Sequence, residues 1–198
     1  MSACLWPGEN QLMQQYHDKE WCVPSQDDSY IFEMLTLEGA QSGLSWNTIL
    51  TKREEYKKAF HNFDINYCSN LTDEELETIR DSYGIIKNLP KIKSVRNNAI
   101  AVTKLQMEFK SFSNYLWSFV DHTPVVNQWN FEGQVPAQSE LSERISKDLK
   151  KRGFKFVGPV IIYSFMQAVG MVDDHIKTCP YHSENRGELG KEYIGKIY

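Results

Sequence analysis

No stretch of this 198-residue chain stays apolar for the roughly 18 residues that a membrane-crossing helix needs. The opening ten residues, MSACLWPGEN, lack the charged and apolar regions of a secretory signal. A soluble, cytoplasmic protein without a membrane partner is therefore expected. Cysteine is sparse: Cys4, Cys22, Cys68 and Cys179 form no CxxC pair, which argues against a disulfide scaffold. In a reducing compartment, thiols that meet in space are metal ligands before they are disulfides. An excess of basic charge is also missing, with 22 Lys and Arg against 26 Asp and Glu and a net charge of −4. Blanket nucleic-acid binding is thereby excluded, and any DNA contact must come from a local patch. Strand-like alternation, internal repeats, low-complexity tracts and coiled-coil heptads are absent too. What remains is one all-α domain with no sign of an obligate oligomer, hence an expected monomer.

What the chain does have is aromatic and helical. Asp27, Asp28 and Ser29 can cap a helix reaching about Glu38, with Ile31, Phe32 and Leu35 on its apolar face. A second helix starts near Ser45, its charged residues Lys52 to Lys58 mostly toward water. Thr72 and Glu75 form a capping box, and Pro90 suits the first turn of a further helix. Phe112 to Val120 reads as a short aromatic helix, and Asp121 to Gln138 as a loop. Ser139 can cap a helix to about Arg152, and Pro159 opens a nearly all-apolar one to about Val169. The domain is expected to span 1–180, with 181–198 a polar, mobile tail.

Three groups of residues carry chemistry. The stretch Leu37-Glu38-Gly39-Ala40-Gln41-Ser42-Gly43-Leu44-Ser45-Trp46 sets a carboxylate eight positions before an indole. It can wall a pocket for a flat cationic ring, with Tyr16 and Trp6 nearby, or it can be a surface Glu and a core Trp joined by a turn. Lys147, Lys150, Lys151, Arg152 and Lys155 crowd a turn containing Gly153 and Gly158. Such a turn can grip a phosphate at the next helix's N-terminus, or simply complement a helix dipole. His175 and Cys179 are one helical turn apart, with Cys4 and His17 near the other end. Two Cys and two His make a closed tetrahedral zinc set that would staple the ends of the domain; the alternative is four unrelated residues.

Together these segments resemble the bacterial 3-methyladenine DNA glycosylase I family over about residues 4–180. The likeness is carried by Tyr16-His17-Asp18 with Glu20-Trp21, by the Leu37–Trp46 stretch, and by Leu116-Trp117-Ser118-Phe119-Val120. It continues through Leu149-Lys150-Lys151-Arg152-Gly153-Phe154-Lys155-Phe156-Val157-Gly158-Pro159, Tyr163-Ser164-Phe165, His175 and Cys179. Each segment alone is weak; their order and spacing are specific. The chain departs from the pattern at Cys22, where glycine is usual, and at Leu89-Pro90, where a more polar pair is. It departs also at the longer 127–137 region and beyond Tyr181. The Leu89-Pro90 change bears on a turn that would face DNA.

The resemblance implies a helix-hairpin-helix glycosylase fold and a monofunctional enzyme without lyase activity. That enzyme releases 3-methyladenine from alkylated double-stranded DNA in a bacterial cytoplasm, in association with the nucleoid. It implies base binding by Glu38, Tyr16, Trp46 and Trp6, with Glu38 as the catalytic residue, and DNA anchoring by Lys151, Arg152, Gly153, Lys155 and Gly158. It implies one structural zinc ion on Cys4, His17, His175 and Cys179. Asp173 and Asp174 are expected to cap a helix or support a zinc ligand, not to act as a general base. Two rivals stay in view: a DNA-binding module using the hairpin alone, and a zinc hydrolase with an open metal position.

Overall fold

Capping side chains set most of the helix starts. In the computed structural model, which describes residues 4–186, Asn10 caps α1 (Gln11–Lys19) and Asp27 caps α2 (Asp28–Gln41). The neighbouring carboxylate, Asp28, turns elsewhere. It accepts from the backbone N–H groups of Phe112 and Ser113, at 2.9 and 2.8 Å, and so joins the start of α2 to that of a later helix. Ser45 caps α3 (Trp46–Leu50), and the expected single helix then breaks at Thr51-Lys52 before α4 (Arg53–Ala59). Asp64 caps α5 (Ile65–Ser69), and Thr72 with Glu75 forms the expected capping box of α6 (Asp73–Ser82). Asn88 and Pro90 open the long α7 (Leu89–Phe109), and Ser111 opens α8 (Phe112–Trp117). Ser139 caps α9 (Glu140–Lys151), and Pro159 lies in the first turn of α10 (Pro159–Ala168).

The core is wrapped around α2. Every residue from Ile31 to Ala40 is buried, so this helix has no water-facing side over three turns. Helices α10, α3, α7 and α8 pack against it. A helix enclosed on all sides buries polar groups along with apolar ones, and α2 buries Glu33, Thr36 and Glu38. Glu33 is offset by Arg53, whose Nε lies 2.7 Å away and whose other arm reaches Glu20 at 2.8 Å. Arg53 was expected to face water; the buried Glu33 draws it inward.

The stretch 121–138 is not wholly a loop. Val125–Val126 (β1) pairs in parallel with Val172–Asp173 (β2), a two-residue ladder too short to show as alternation in sequence. It fixes the segment that carries Asp173, Asp174 and His175. The chain beyond 180 also begins packed: His182 is buried and its Nε2 lies 3.0 Å from the Asn127 carbonyl, and Arg186 donates to the Trp21 carbonyl. The rest of the expected tail, 187–198, lies outside the described residues. Among the described residues, no helix is long and apolar enough to cross a membrane.

One glycine is dictated by crossing chain. Gly170 has φ +70°, and a Cβ there would sit 2.2 Å from the Pro24 nitrogen and the Val23 carbonyl carbon. The strand of chain after Trp21 therefore lies directly across the end of α10, which brings the N-terminal arm against the segment holding His175.

Candidate active site

The Glu38–Trp46 stretch is the end of one helix, a turn and the start of the next. Lys91 of α7 donates to the carbonyls of Ala40 and Ser42, at 2.9 and 2.7 Å, closing the open C-terminus of α2. Gly43 takes φ +80°, a conformation that costs an L side chain, and Ser45 then caps α3. Gly39 serves packing instead. Phe156 Cβ from the α9–α10 turn would lie 3.3 Å from a Cβ at this position, so glycine lets that turn approach α2 beside Glu38.

The result is a cavity of about 240 Å³, lined by Trp6, Tyr16, Trp21, Glu38, Gln41, Trp46, Ser164 and Gln167. All four expected pocket residues are present. Glu38 is 4% exposed, and no described residue donates to its carboxylate. Burial alone pushes its pKa up from 4.5 to about 8. The Tyr16 and Trp46 rings lie 5.2 Å apart at 57°, and Trp6 sits edge-on to Trp21 at 5.1 Å. Desolvation first, and the nearby Glu38 second, hold the Tyr16 phenol well above its ordinary value, so it stays a neutral donor. Among the described residues, the buried indole nitrogens of Trp6 and Trp46 have no hydrogen-bond partner. Trp21, Gln41, Ser164 and Gln167 were not foreseen as lining residues. A signal for them existed: Gln41 lies three residues after Glu38, and Gln167 three after Ser164, each pair sharing a helix face.

Behind the cavity lies a cluster of sulfur and nitrogen. Candidate ligand atoms of Cys4, His17 and Cys179 all lie within 4.8 Å of one another, and all three residues are buried. The fourth expected ligand, His175, is not in that set: its ligand atom groups with those of Cys22 and Asp173, although its ring lies 4.8 Å from that of His17 between centroids. His17 places Nδ1 2.7 Å from Asp18, and His175 places Nδ1 2.8 Å from Asp173. Asp173 accepts also from the backbone of His175 and Ser183, and these bonds outweigh its burial to bring its pKa down to about 2. An ionised Asp173 requires the proton on Nδ1 of His175, leaving Nε2 as a lone pair. That Nε2 is buried and has no partner among the described residues. The hydrogen bond between the two thiols lowers the pKa of Cys179 and raises that of Cys4. Trp6 and Trp21 stand between this cluster and the cavity. Their rings lie 5.5 and 5.8 Å from His17, and Trp21 lies 4.6 Å from His175. The arm bearing Cys4 and Trp6 is held by Glu132, which accepts from the backbone N–H groups of Leu5 and Trp6.

The remaining acid in this segment, Asp174, is saturated. Its carboxylate accepts from Asn127, Trp129, Tyr163 and Gln167, each at 2.7 Å.

The α9–α10 turn packs on α2 at Gly39. Gly153 has φ +95°, and a Cβ on either Gly153 or Gly158 would meet nothing within 4 Å, so the space before the turn is open. Phe154 and Val157 are buried and anchor it, and the Asn98 carboxamide clamps the Lys155 backbone at both N–H and C=O, at 2.8 and 3.1 Å. Lys151 and Lys155 are exposed. Arg152 is turned inward: it pairs with Glu108 and Asp148, both at 2.7 Å, over the rings of Phe109 and Tyr115.

A desolvated acid facing a cluster of tilted and edge-on aromatic rings suits a flat cationic ligand. The family model described as methyladenine glycosylase matches residues 6–182. DNA-3-methyladenine glycosylase of Haemophilus influenzae is 42% identical over 179 residues, 90% of this chain and 97% of its own length. DNA-3-methyladenine glycosylase 1 of Escherichia coli is 42% identical over 186 residues, 94% of this chain and 100% of its own. A solved tyrosine-to-phenylalanine variant of 3-methyladenine DNA glycosylase I, in complex with 3-methyladenine, matches with a TM-score of 0.89 at 33% identity, covering 92% of this chain and 98% of that one. The chain belongs to the methyladenine glycosylase family.

Proposed function

We propose that the cavity receives a 3-methyladenine base swung out of double-stranded DNA, stacked on Trp46 and held by Glu38 and Tyr16, with Trp6 closing one side. The chain is a DNA-3-methyladenine glycosylase of base-excision repair. It hydrolyses the N-glycosidic bond, so that the base leaves and an abasic site remains. The observation that carries the reading is the Glu38 carboxylate, buried without a donor at the wall of an aromatic cavity. Such a group costs stability unless its occupant brings positive charge or donors.

Alkylation at N3 makes adenine cationic and already a good leaving group. The C1′–N9 bond breaks with its electron pair passing to the base, which departs neutral; water then adds at C1′ and loses a proton. The protein must extrude the nucleotide, at a few kcal/mol, and stacking on an indole returns roughly 1–3 kcal/mol. Glu38 offsets the ring charge through charge-assisted hydrogen bonds from the amino edge. Neither Asp173 nor Asp174 is free to act as a base, since hydrogen bonds occupy both carboxylates. This supports monofunctional hydrolysis that relies on the lability of the lesion. Among the described residues, no lysine lines the cavity to form a Schiff base with the sugar, as a lyase would need.

The α9–α10 turn is read as a helix-hairpin-helix anchor. Open space before Gly153 and Gly158 admits a phosphate to the α10 N-terminus, and exposed Lys151 and Lys155 flank it. Cys4, His17, His175 and Cys179 would hold one zinc ion. The orphaned Nε2 of His175, the matching Nδ1–carboxylate pairs of both histidines and the closeness of the Cys4 and Cys179 sulfurs to His17 fit that donor set. With four protein ligands and no vacancy, zinc bound there supplies a cross-link between the chain ends. A monomer in the bacterial cytoplasm, meeting the nucleoid through damaged DNA, completes the reading.

The test is to incubate the purified protein with methylated duplex DNA and chromatograph the released bases. Release of 3-methyladenine, lost in Glu38→Ala with the fold retained, is expected. Binding to undamaged duplex without release of any base would favour a DNA-binding module. Release abolished at once by a chelator, with the fold intact, would favour a metal hydrolase.

A further inference from the structure

Gln167 lines the cavity on α10, across from Glu38 on α2, and its side chain is not free to choose its orientation. Its Nε2 lies 2.7 Å from Oδ2 of Asp174. That carboxylate is buried, takes Tyr163 on the same oxygen and takes Asn127 and Trp129 on the other. A carboxylate already taking Tyr163, Asn127 and Trp129 as donors is an acceptor here, so the amide nitrogen faces it. The Gln167 carbonyl oxygen is then left over, and no described residue donates to it.

We infer that Gln167 Oε1 is a second reader of the exocyclic amino group of the bound base, oriented by Asp174, and that it selects adenine over guanine lesions. A 6-amino group carries two donor hydrogens, and one acceptor can satisfy only one of them. Glu38 takes one and Gln167 the other. A 6-oxo purine would instead present an acceptor to the Gln167 carbonyl oxygen, with no amide flip available to relieve the mismatch while Asp174 holds the nitrogen. Sites built to bond a polar substrate group reject analogues that lack it far more strongly than apolar pockets reject a size change. Gln167 here is a binding residue and Asp174 a positioning residue that acts through it.

Gln167 has this role only if the cavity seats 3-methyladenine as proposed above, and the test separates the two. Indole fluorescence of the full-length protein is titrated with free 3-methyladenine and with 3-methylpurine, which lacks the amino group. Release from methylated DNA is followed in parallel. Gln167→Met keeps the length of the side chain and removes the acceptor. It should weaken 3-methyladenine binding about tenfold and leave 3-methylpurine binding unchanged. Asp174→Asn, which frees the Gln167 amide to turn, should move the same difference in the same direction. Should Asp174→Asn fail to fold, the Gln167→Met result alone decides. Equal weakening for both ligands, or no weakening for either, overturns the inference. If the unmodified protein neither binds nor releases 3-methyladenine, the functional reading falls and the role of Gln167 falls with it. Release that stays intact in the unmodified protein beside an unmoved Gln167→Met sinks the inference alone.

Discussion

Glu38→Gln should make this protein more stable while disabling it, and the gain should grow with pH. The carboxyl titrates near 8 when folded, because burial penalises its charge, and near the ordinary 4.5 when unfolded. Between those values the folded chain holds a proton that the unfolded chain has lost, so raising the pH favours unfolding. Each pH step across that window removes about 1.4 kcal/mol, and little is lost below pH 4.5 or above pH 8. From pH 5 to 7 the loss assigned to Glu38 is about 2.5 kcal/mol, with a further ~1.5 kcal/mol by pH 9. Glutamine has no proton to take up, and every other titrating group is common to both proteins. The stability difference between Glu38→Gln and its parent should therefore rise by about 2–3 kcal/mol between pH 5 and 7. Urea unfolding of both proteins at pH 5, 7 and 9 measures it. A difference constant to about 0.5 kcal/mol across the three would show that Glu38 is not desolvated, and the electrostatic account of the cavity would go with it.

The same titration should govern catalysis in the opposite sense: kcat/KM on a methylated duplex should climb about tenfold per pH step below 8, level off above it, and become flat in Glu38→Gln. Gly170→Ala should cost more than about 3 kcal/mol, because its Cβ would overlap the backbone of Val23 and Pro24; an unchanged thermal midpoint would contradict the crossing of chains described here. Asp173→Asn should weaken zinc retention by about 10–100-fold in a chelator competition, by freeing the His175 ring to turn. Lys151→Ala and Lys155→Ala should each lower the salt dependence of duplex binding by about one ion, whereas Arg152→Ala should act on the thermal midpoint, since its partners are Glu108 and Asp148.

What could be read in the sequence was whatever a single helix or turn specifies. Asp27, Thr72, Ser111 and Ser139 act on backbone groups two or three residues away, so the sequence contains the whole interaction for those that were named as caps. Spacing and residue type proposed Glu38 with Trp46, Tyr16 and Trp6, and His175 with Cys179, Cys4 and His17, as open alternatives; the family resemblance gave each of them a role. What escaped is long-range. Asp28 was taken for a local cap, but it bonds α8 more than 80 positions away. Arg53 looked solvent-facing because its neighbours are charged, while its partner Glu33 lies on a helix with no exposed side. Asn98, Lys91 and Glu132 each hold a piece of the site through backbone groups with no sequence signature. The two-residue ladder of β1 and β2 is too short for alternation to register.

These distant fastenings share a purpose that follows from the cavity's energetics. The site buries a carboxylate without a donor and two indole N–H groups without acceptors, each a cost of a kcal/mol or more. Left to relax, such groups would swing toward water or toward one another, and the cavity would collapse. The elements that carry them are accordingly tied at points away from the ligand: Lys91 on the end of α2, Glu132 on the arm of Trp6, Asp174 on Gln167. The Cys4, His17 and Cys179 cluster lies against Trp6 and Trp21, on the same arm. The zinc proposed there, cross-linking the two ends of the domain, would restrain the wall of the cavity that has least secondary structure of its own. Loosening it should therefore weaken binding of the base before it unfolds the protein.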